Sequence, residues 1–282
     1  MITTQTKFLI VGLGLLGGSY AKGLKQKEYY VSAIDTRQES IDFALKNNII
    51  CEGSTNNPKL IEEADIIILG LYPETVITWL KENQHYIKPN TIITDVTGIK
   101  QYIIDEISTF LRKDIEFIAA HPMAGKEVKG VENSDSNIFL PANFIIVPTP
   151  QNTKEAIDTV YDIANILRFK RITTLSPQKH DEMIAFLSQL PHVIAVCLMT
   201  CKESEHLIAY TGDSFRDLTR IAKINEDLWS ELFRINKDVL LEQMDLFMNE
   251  FINFREMLSN DDIEGMKETF RLSTKRRKEF DK

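Results

Sequence analysis

Chemistry in this chain is concentrated in a few short segments. His121 closes an apolar run, Phe117-Ile-Ala-Ala-His121-Pro122-Met123-Ala124-Gly125-Lys126-Glu127. An imidazole titrates near pH 6.5, so it can accept a proton at neutral pH. Placed just past a buried strand, His121 is either a general base at the mouth of a crevice or a histidine that caps a loop. Ser188, Gln189 and His192 fall at helical spacing on a segment that is otherwise apolar nearly all round. Buried polar groups need partners, so these three either satisfy a core network or face a ligand. In Asp213-Ser-Phe-Arg216-Asp217-Leu-Thr-Arg220 the two arginines are four residues apart. That pattern serves either a helix laced by ion pairs or a guanidinium site for a carboxylate. Thr94-Asp95-Val96-Thr97-Gly98-Ile99-Lys100 ends another apolar run, and Asp95 can pair with Lys100. Cys197 and Cys201 also stand four apart, but no third or fourth ligand is near in sequence; they read as two small buried residues, and no metal site is expected.

One motif points to a nucleotide. Gly12-Leu-Gly14-Leu15-Leu16-Gly17 fits G-x-G-x-x-G, follows a predicted strand and opens a predicted helix. Gly12 permits the tight turn, Gly14 lets the backbone approach a pyrophosphate, and Gly17 lets the helix pack close to the sheet. Leu15 and Leu16 begin the helix whose N–H groups and dipole would face the phosphates. Asp35 closes the next strand, 23 residues after Gly12, where a carboxylate can bind ribose hydroxyls and repel a 2′-phosphate. NAD is therefore expected over NADP, with Arg37 two residues on as a softening influence. Thr97, at the end of a neighbouring strand, is the further residue assigned to the cofactor.

These residues need a frame. Apolar runs at Lys7–Gly12, Tyr30–Asp35, Ala64–Leu71, Thr91–Val96, Glu116–Ala120, Asn143–Pro148 and Arg171–Leu175 read as strands, with helical patterns between them. Continuous β-branched runs suit a parallel sheet covered on both faces. The expected fold is α/β: an N-terminal Rossmann-type doubly wound sheet over residues 1–175, then an all-α domain over 176–282. Helices are expected at Leu15–Lys27, Gln38–Asn47, Lys154–Leu167, Met183–Cys201, Ser214–Ile224, Glu226–Leu258 and Asp262–Phe280. Across 282 residues, 33 Lys+Arg against 41 Asp+Glu give a net charge of −8, which argues against a general nucleic-acid binder. Three cysteines exclude a disulfide framework. The start lacks the pattern of a signal peptide, and the most apolar stretch, Met183–Cys201, is broken by Ser188, Gln189, Pro191 and His192. A cytoplasmic protein, with no membrane partner, is expected.

Together the segments GLGLLGGS, Asp35, ITDVTGIK, HPMAGKEVKG, KHDEMIAFLSQLPHVIA and SFRDLTRIA, with Trp229 nine residues after Arg220, resemble the prephenate/arogenate dehydrogenase family of tyrosine biosynthesis. The likeness covers nearly the whole chain. It implies an NAD-dependent oxidative decarboxylation of prephenate to 4-hydroxyphenylpyruvate: hydride leaves the ring carbinol carbon for the nicotinamide, the ring carboxylate leaves as carbon dioxide, and the ring becomes aromatic. By resemblance His121 hydrogen-bonds the ring hydroxyl and takes its proton, and Arg220 holds a substrate carboxylate. His192 and Trp229 line the pocket, with Ser188 and Gln189 on the same helix as His192 taken as further substrate-binding candidates; Glu127 and Asp217 form a polar gate around it, and the helical domain forms a homodimer.

The chain departs from the family pattern in places. Gly98 stands where many relatives carry Ser, which removes a hydroxyl beside His121 unless Thr97 replaces it. Gln189 stands where many carry His, and Lys126 where a small polar residue is common. The competing readings are an arogenate dehydrogenase, a 3-hydroxyacid-type dehydrogenase and a non-catalytic, dimeric NAD sensor. The hydroxyacid type is disfavoured because Lys223-Ile-Asn-Glu226 fails its Lys-x-x-Asn pattern. A sensor needs neither His121 nor Arg220.

Overall fold

The computed structural model describes residues 2–203 and 206–281. The chain forms β1 (Lys7–Val11), α1 (Leu15–Lys25), β2 (Tyr30–Ile34), α2 (Gln38–Lys46), β3 (Glu52–Ser54), α3 (Pro58–Glu63), β4 (Ile66–Leu69) and α4 (Pro73–Asn83). There follow β5 (Ile92–Asp95), α5 (Gln101–Ser108), β6 (Glu116–Pro122), β7 (Asn143–Val147), α6 (Lys154–Ile166) and β8 (Arg171–Thr174). The eight strands make one sheet in the order β3-β2-β1-β4-β5-β6-β7-β8. All neighbours are parallel except β6 and β7, which pair antiparallel with His121 opposite Ile145. The strand order reverses between β1 and β4, and ligands of such sheets bind outside the carboxyl ends of the strands at that point.

The β-branched runs build this sheet because both of its faces are covered. Phe8 and Ile10 of β1 enter the layer under α1, α2 and α6, while Leu9 and Val11 enter the layer under α3, α4 and α5. Alternating side chains thus serve two cores, each fully buried residue contributing roughly 1.5–3 kcal/mol. Gly12 continues β1 at φ +92°, and a Cβ there would lie 2.6 Å from Gly70 O. A Cβ on Gly17 would lie 1.9 Å from Gly12 O, so α1 reaches its position against the sheet only with glycine.

Beyond β8 the described residues are helical: α7 (Pro177–Ile184), α8 (Leu190–Thr200), α9 (Leu207–Tyr210), α10 (Asp213–Thr219), α11 (Glu226–Ile235), α12 (Lys237–Ser259) and α13 (Ile263–Arg277). Ser176 caps α7 by accepting the Lys179 N–H, and Pro177 occupies the first turn, where its missing N–H costs nothing. A π turn at Ala185–Gln189 joins α7 to α8, with the Leu190 N–H reaching back to Ala185 O. It lies directly before Pro191, which has no N–H to continue an α-helical ladder. The chain divides into two compact units, residues 1–236 and residues 237–282. The second holds α12 and α13, with Phe254 and Phe270 ring centroids 5.9 Å apart and Asp262 accepting the Gly265 N–H at the start of α13.

Several expectations change in detail. The single helix expected over Glu226–Leu258 ends at Ile235, because Asn236 turns its carboxamide inward to Asp181 O and Gln189 Oε1. The segment expected at Met183–Cys201 is the end of α7, the π turn and α8. His121 lies inside β6 rather than past its end. Cys197 on α8 and Cys201 at its C-terminal end are exposed, not buried. Pro177–Thr200 is long and apolar enough by composition to cross a bilayer, yet it carries the buried His180, Asp181 and Gln189.

Candidate active site

The turn after β1 presents free backbone donors. Gly14 caps α1 without any side-chain bond, no acid lies in the first turn, and a Cβ on Gly14 would meet nothing within 4 Å. Gly14, Leu15 and Leu16 are half-buried at the carboxyl edge of the sheet. Asp35 braces this turn from the end of β2: its Oδ2 accepts the Leu13 N–H at 2.6 Å and its Oδ1 accepts the Arg37 N–H at 2.8 Å. The Arg37 Nε lies 3.9 Å from the same carboxylate on an exposed side chain. An open glycine cradle, an uncapped helix N-terminus and a carboxylate at the second strand fit a dinucleotide with free ribose hydroxyls. Thr97 does not join this group. Its hydroxyl is buried, donated to Asp95 Oδ2 at 2.5 Å and placed 3.0 Å from Ile99 O, so it also leaves the hydroxyl absent at Gly98 unreplaced.

Around His121 the structure builds a buried polar network. His121 Nδ1 is 2.9 Å from His180 Nε2, and His180 Nδ1 is 2.7 Å from Asp181 Oδ1. Asp181 caps the start of α5, accepting the Lys100 N–H on Oδ1 and the Gln101 N–H on Oδ2, each at 2.9 Å. Lys100 is fully buried, its ammonium 2.5 Å from Asp95 Oδ2 and 3.1 Å from Thr97 Oγ1. Asp95 also accepts the Ala120 N–H, one residue before His121. Burial holds His121 well below the usual imidazole range, reinforced by His180 and the Lys100 charge. Burial also lowers His180, against the opposing pull of Asp181, and lowers Lys100 despite Asp95. His121 is thus neutral, and able to take a proton, at physiological pH.

A second cluster comes from the helices and the loop after β6. His192 stacks on Trp229 with ring centroids 3.7 Å apart, and its Nδ1 lies 2.8 Å from Ser188 O. Burial lowers the His192 pKa, with Glu127 and Arg220 near enough to act on it. Arg220 forms an ion pair with Glu127, their side chains 65% and 38% exposed. Met123, two residues after His121, packs on the buried trio Ile99, Ile184 and Leu232, as does Trp229. That packing ties the second cluster to the end of β6.

Not every expected residue belongs here. Gln189 is buried, and its carboxamide is spent on Leu232 O and Asn236, so it faces the core rather than a ligand. The π turn is the physical cause, because it rotates the helix by an extra residue and breaks the spacing that put Gln189 and His192 on one face. Ser188 is half-buried, and its backbone carbonyl is what meets His192. Asp217 and Arg216 are exposed on α10 and take no part in the Glu127–Arg220 pair. His180 and Asp181 carry no distinguishing signal in the sequence, because they stand among Gln178, Lys179 and Glu182 in the polar first turns of α7.

A family model described as prephenate dehydrogenase, nucleotide-binding domain, matches residues 20–171, and one described as prephenate dehydrogenase, dimerization domain, matches residues 176–272. The chain is 29% identical over 275 residues to the prephenate dehydrogenase of Bacillus subtilis, covering 94% of this chain and 73% of that protein. It is 28% identical over 284 residues to the cyclohexadienyl dehydrogenase of Zymomonas mobilis, covering 98% and 96%. The crystal structure of prephenate dehydrogenase from A. aeolicus in complex with hydroxyphenyl propionate and NAD+ matches with a TM-score of 0.90 at 27% identity, over 99% of this chain and 100% of that one. The two family models between them match most of the chain, from α1 onward, and the chain belongs to the prephenate dehydrogenase family.

Proposed function

We propose that this chain catalyses the NAD-dependent oxidative decarboxylation of prephenate to 4-hydroxyphenylpyruvate. NAD, when bound, supplies the hydride acceptor; the turn at Gly12, Gly14 and Gly17 and the carboxylate of Asp35 would hold it. The observation that carries the reading is His121 at the carboxyl end of β6, 2.9 Å from His180 and beside a cluster containing Arg220, His192 and Trp229. In this reading His121 accepts the proton of the ring hydroxyl as the carbinol C–H is lost as hydride. The ring carboxylate then departs as carbon dioxide and leaves its electron pair to the aromatic ring. The product is aromatic, so the protein's main work is to position donor, acceptor and base. Arg220 holds a substrate carboxylate, and Trp229 and His192 form an aromatic wall.

The charge pattern favours prephenate over arogenate. Selecting arogenate calls for a carboxylate free to meet an ammonium. Ser188, His192 and Trp229 supply none, and the Glu127 carboxylate lies beside the Arg220 guanidinium, a cation that attracts anions and disfavours a second cation there. The apolar residues left exposed on the helices, among them Phe186, Leu187 and Met199 of the first unit and Leu246, Phe247 and Phe251 of the second, support a homodimer through the family's dimerization domain. Three free thiols among the described residues agree with a cytoplasmic enzyme. The test is NADH formation by purified protein with prephenate and arogenate, each with NAD and NADP. Turnover of prephenate with NAD supports the reading; no turnover of either ring substrate overturns it.

A further inference from the structure

Which nitrogen of His121 carries its proton decides whether it can act as a base, and the hydrogen-bond network around it fixes the answer. The Asp181 carboxylate only accepts hydrogen bonds. It receives the Lys100 N–H and the Gln101 N–H at the start of α5, and the third group turned toward it is His180 Nδ1 at 2.7 Å. His180 must therefore carry its proton on Nδ1. Neutral His180 then has a lone pair on Nε2, and His121 Nδ1 lies 2.9 Å from it. Two lone pairs do not face each other across that distance, so His121 Nδ1 carries the proton. His121 Nε2 is left as the acceptor. His180 is fully buried, and the Asp181 backbone is held by the Asn236 carboxamide, so the chain of bonds has little freedom to rearrange.

We propose that His180 and Asp181 are positioning residues that hold His121 in the Nδ1–H tautomer, so that Nε2 is the atom presented to the substrate hydroxyl. The inference rests on reading His121 as the base. It requires no proton to travel along the network. When Nε2 takes a proton, the Nδ1–H bond to His180 persists, and the imidazolium is faced by a histidine whose dipole Asp181 has aligned. The charged groups packed against the pair are Asp181 from α7, Asp95 from β5 and the buried ammonium of Lys100 before α5. The Lys100 ammonium is neutralised by Asp95 at 2.5 Å. The contact to His121 is not visible in sequence, because 59 residues separate it from His180.

The decisive comparison is His180→Phe against His180→Gln, with His121→Asn as reference, assayed by initial rates of NADH formation. Phe fills the buried space without an acceptor for the His121 Nδ1–H, whereas the Gln carbonyl supplies one. We expect His180→Phe to lower kcat about 10²-fold with little change in KM for prephenate, and His180→Gln to recover at least about ten-fold of that loss. If Phe and Gln behave alike, or Phe keeps wild-type kcat, His180 only fills space and the inference fails. A collapse of kcat in His121→Asn alone would then leave the base itself standing. If His121→Asn retains kcat, the reading of the base falls first. Nitrogen-15 NMR of histidine-labelled wild-type protein decides the matter independently of any variant's folding: protonated Nδ1 and unprotonated Nε2 on His121 at neutral pH supports the inference, and the opposite tautomer overturns it.

Discussion

Arg220 is engaged by Glu127, so a substrate carboxylate must compete for it. The two side chains are 65% and 38% exposed, and ion pairs this open are worth roughly 0.2–1 kcal/mol. Replacing Glu127 by Gln removes the competing charge and also its repulsion of an anionic substrate. The expected result is a KM for prephenate lowered by roughly 1.4- to 5-fold, with kcat little changed. Arg220→Ala removes the guanidinium itself. Losing a charge-assisted bond of roughly 1.5–3 kcal/mol raises KM by about 10- to 150-fold. In the double variant the benefit of Glu127→Gln should shrink, because the cation it competed for is gone. The assay is initial-rate NADH formation at saturating NAD, repeated at raised salt, where the Glu127→Gln effect should fade. A raised KM in Glu127→Gln, or an unchanged KM in Arg220→Ala together with a lowered melting temperature, would show that the pair is structural and refute the reasoning.

Cofactor choice rests on Asp35, whose oxygens brace the glycine turn through Leu13 and Arg37; Asp35→Ser should weaken NAD binding by about 1–3 kcal/mol, measured by titration, and equal wild-type turnover with NADP would contradict the assignment. Lys100→Met leaves the Asp95 carboxylate buried without its cation, so a loss of roughly 3–5 kcal/mol in denaturant unfolding is expected, and an unchanged midpoint would show that the pair is dispensable. His121, His180 and His192 are all held below 6.5 by burial. Below that pH the unfolded chain takes up protons that the folded chain refuses, so stability should fall as pH drops from about 6.5, each such histidine costing up to about 1.4 kcal/mol per pH unit. A flat melting temperature through that window would argue against the buried network.

Much of this was legible in the sequence, for identifiable reasons. The glycine turn and Asp35 were readable because their roles depend on local backbone geometry and on short spacing. The strands were readable because β-branched runs serve two covered faces. β3 (Glu52–Ser54) was not, since three polar-to-small residues at a sheet edge carry no apolar pattern. Strand direction was not either: Asn143–Val147 reads the same whether it pairs parallel or antiparallel with β6. Asn236 looks like an ordinary helical residue until its carboxamide is seen to close a bond to Gln189. At Gln189 itself, helical spacing misled because the π turn shifts the face that follows it. His180 and Asp181 were hidden for a different reason, since their partners His121 and Lys100 arrive from distant strands and loops.

The central claim is that His121 accepts the substrate hydroxyl proton from its place at the carboxyl end of β6. His121→Asn keeps a similar size and polarity while removing the base. Steady-state kinetics with prephenate and NAD should show kcat lowered by about 10²–10⁴-fold, with KM for both changed only a few-fold. A variant that retains near-wild-type kcat would contradict the account.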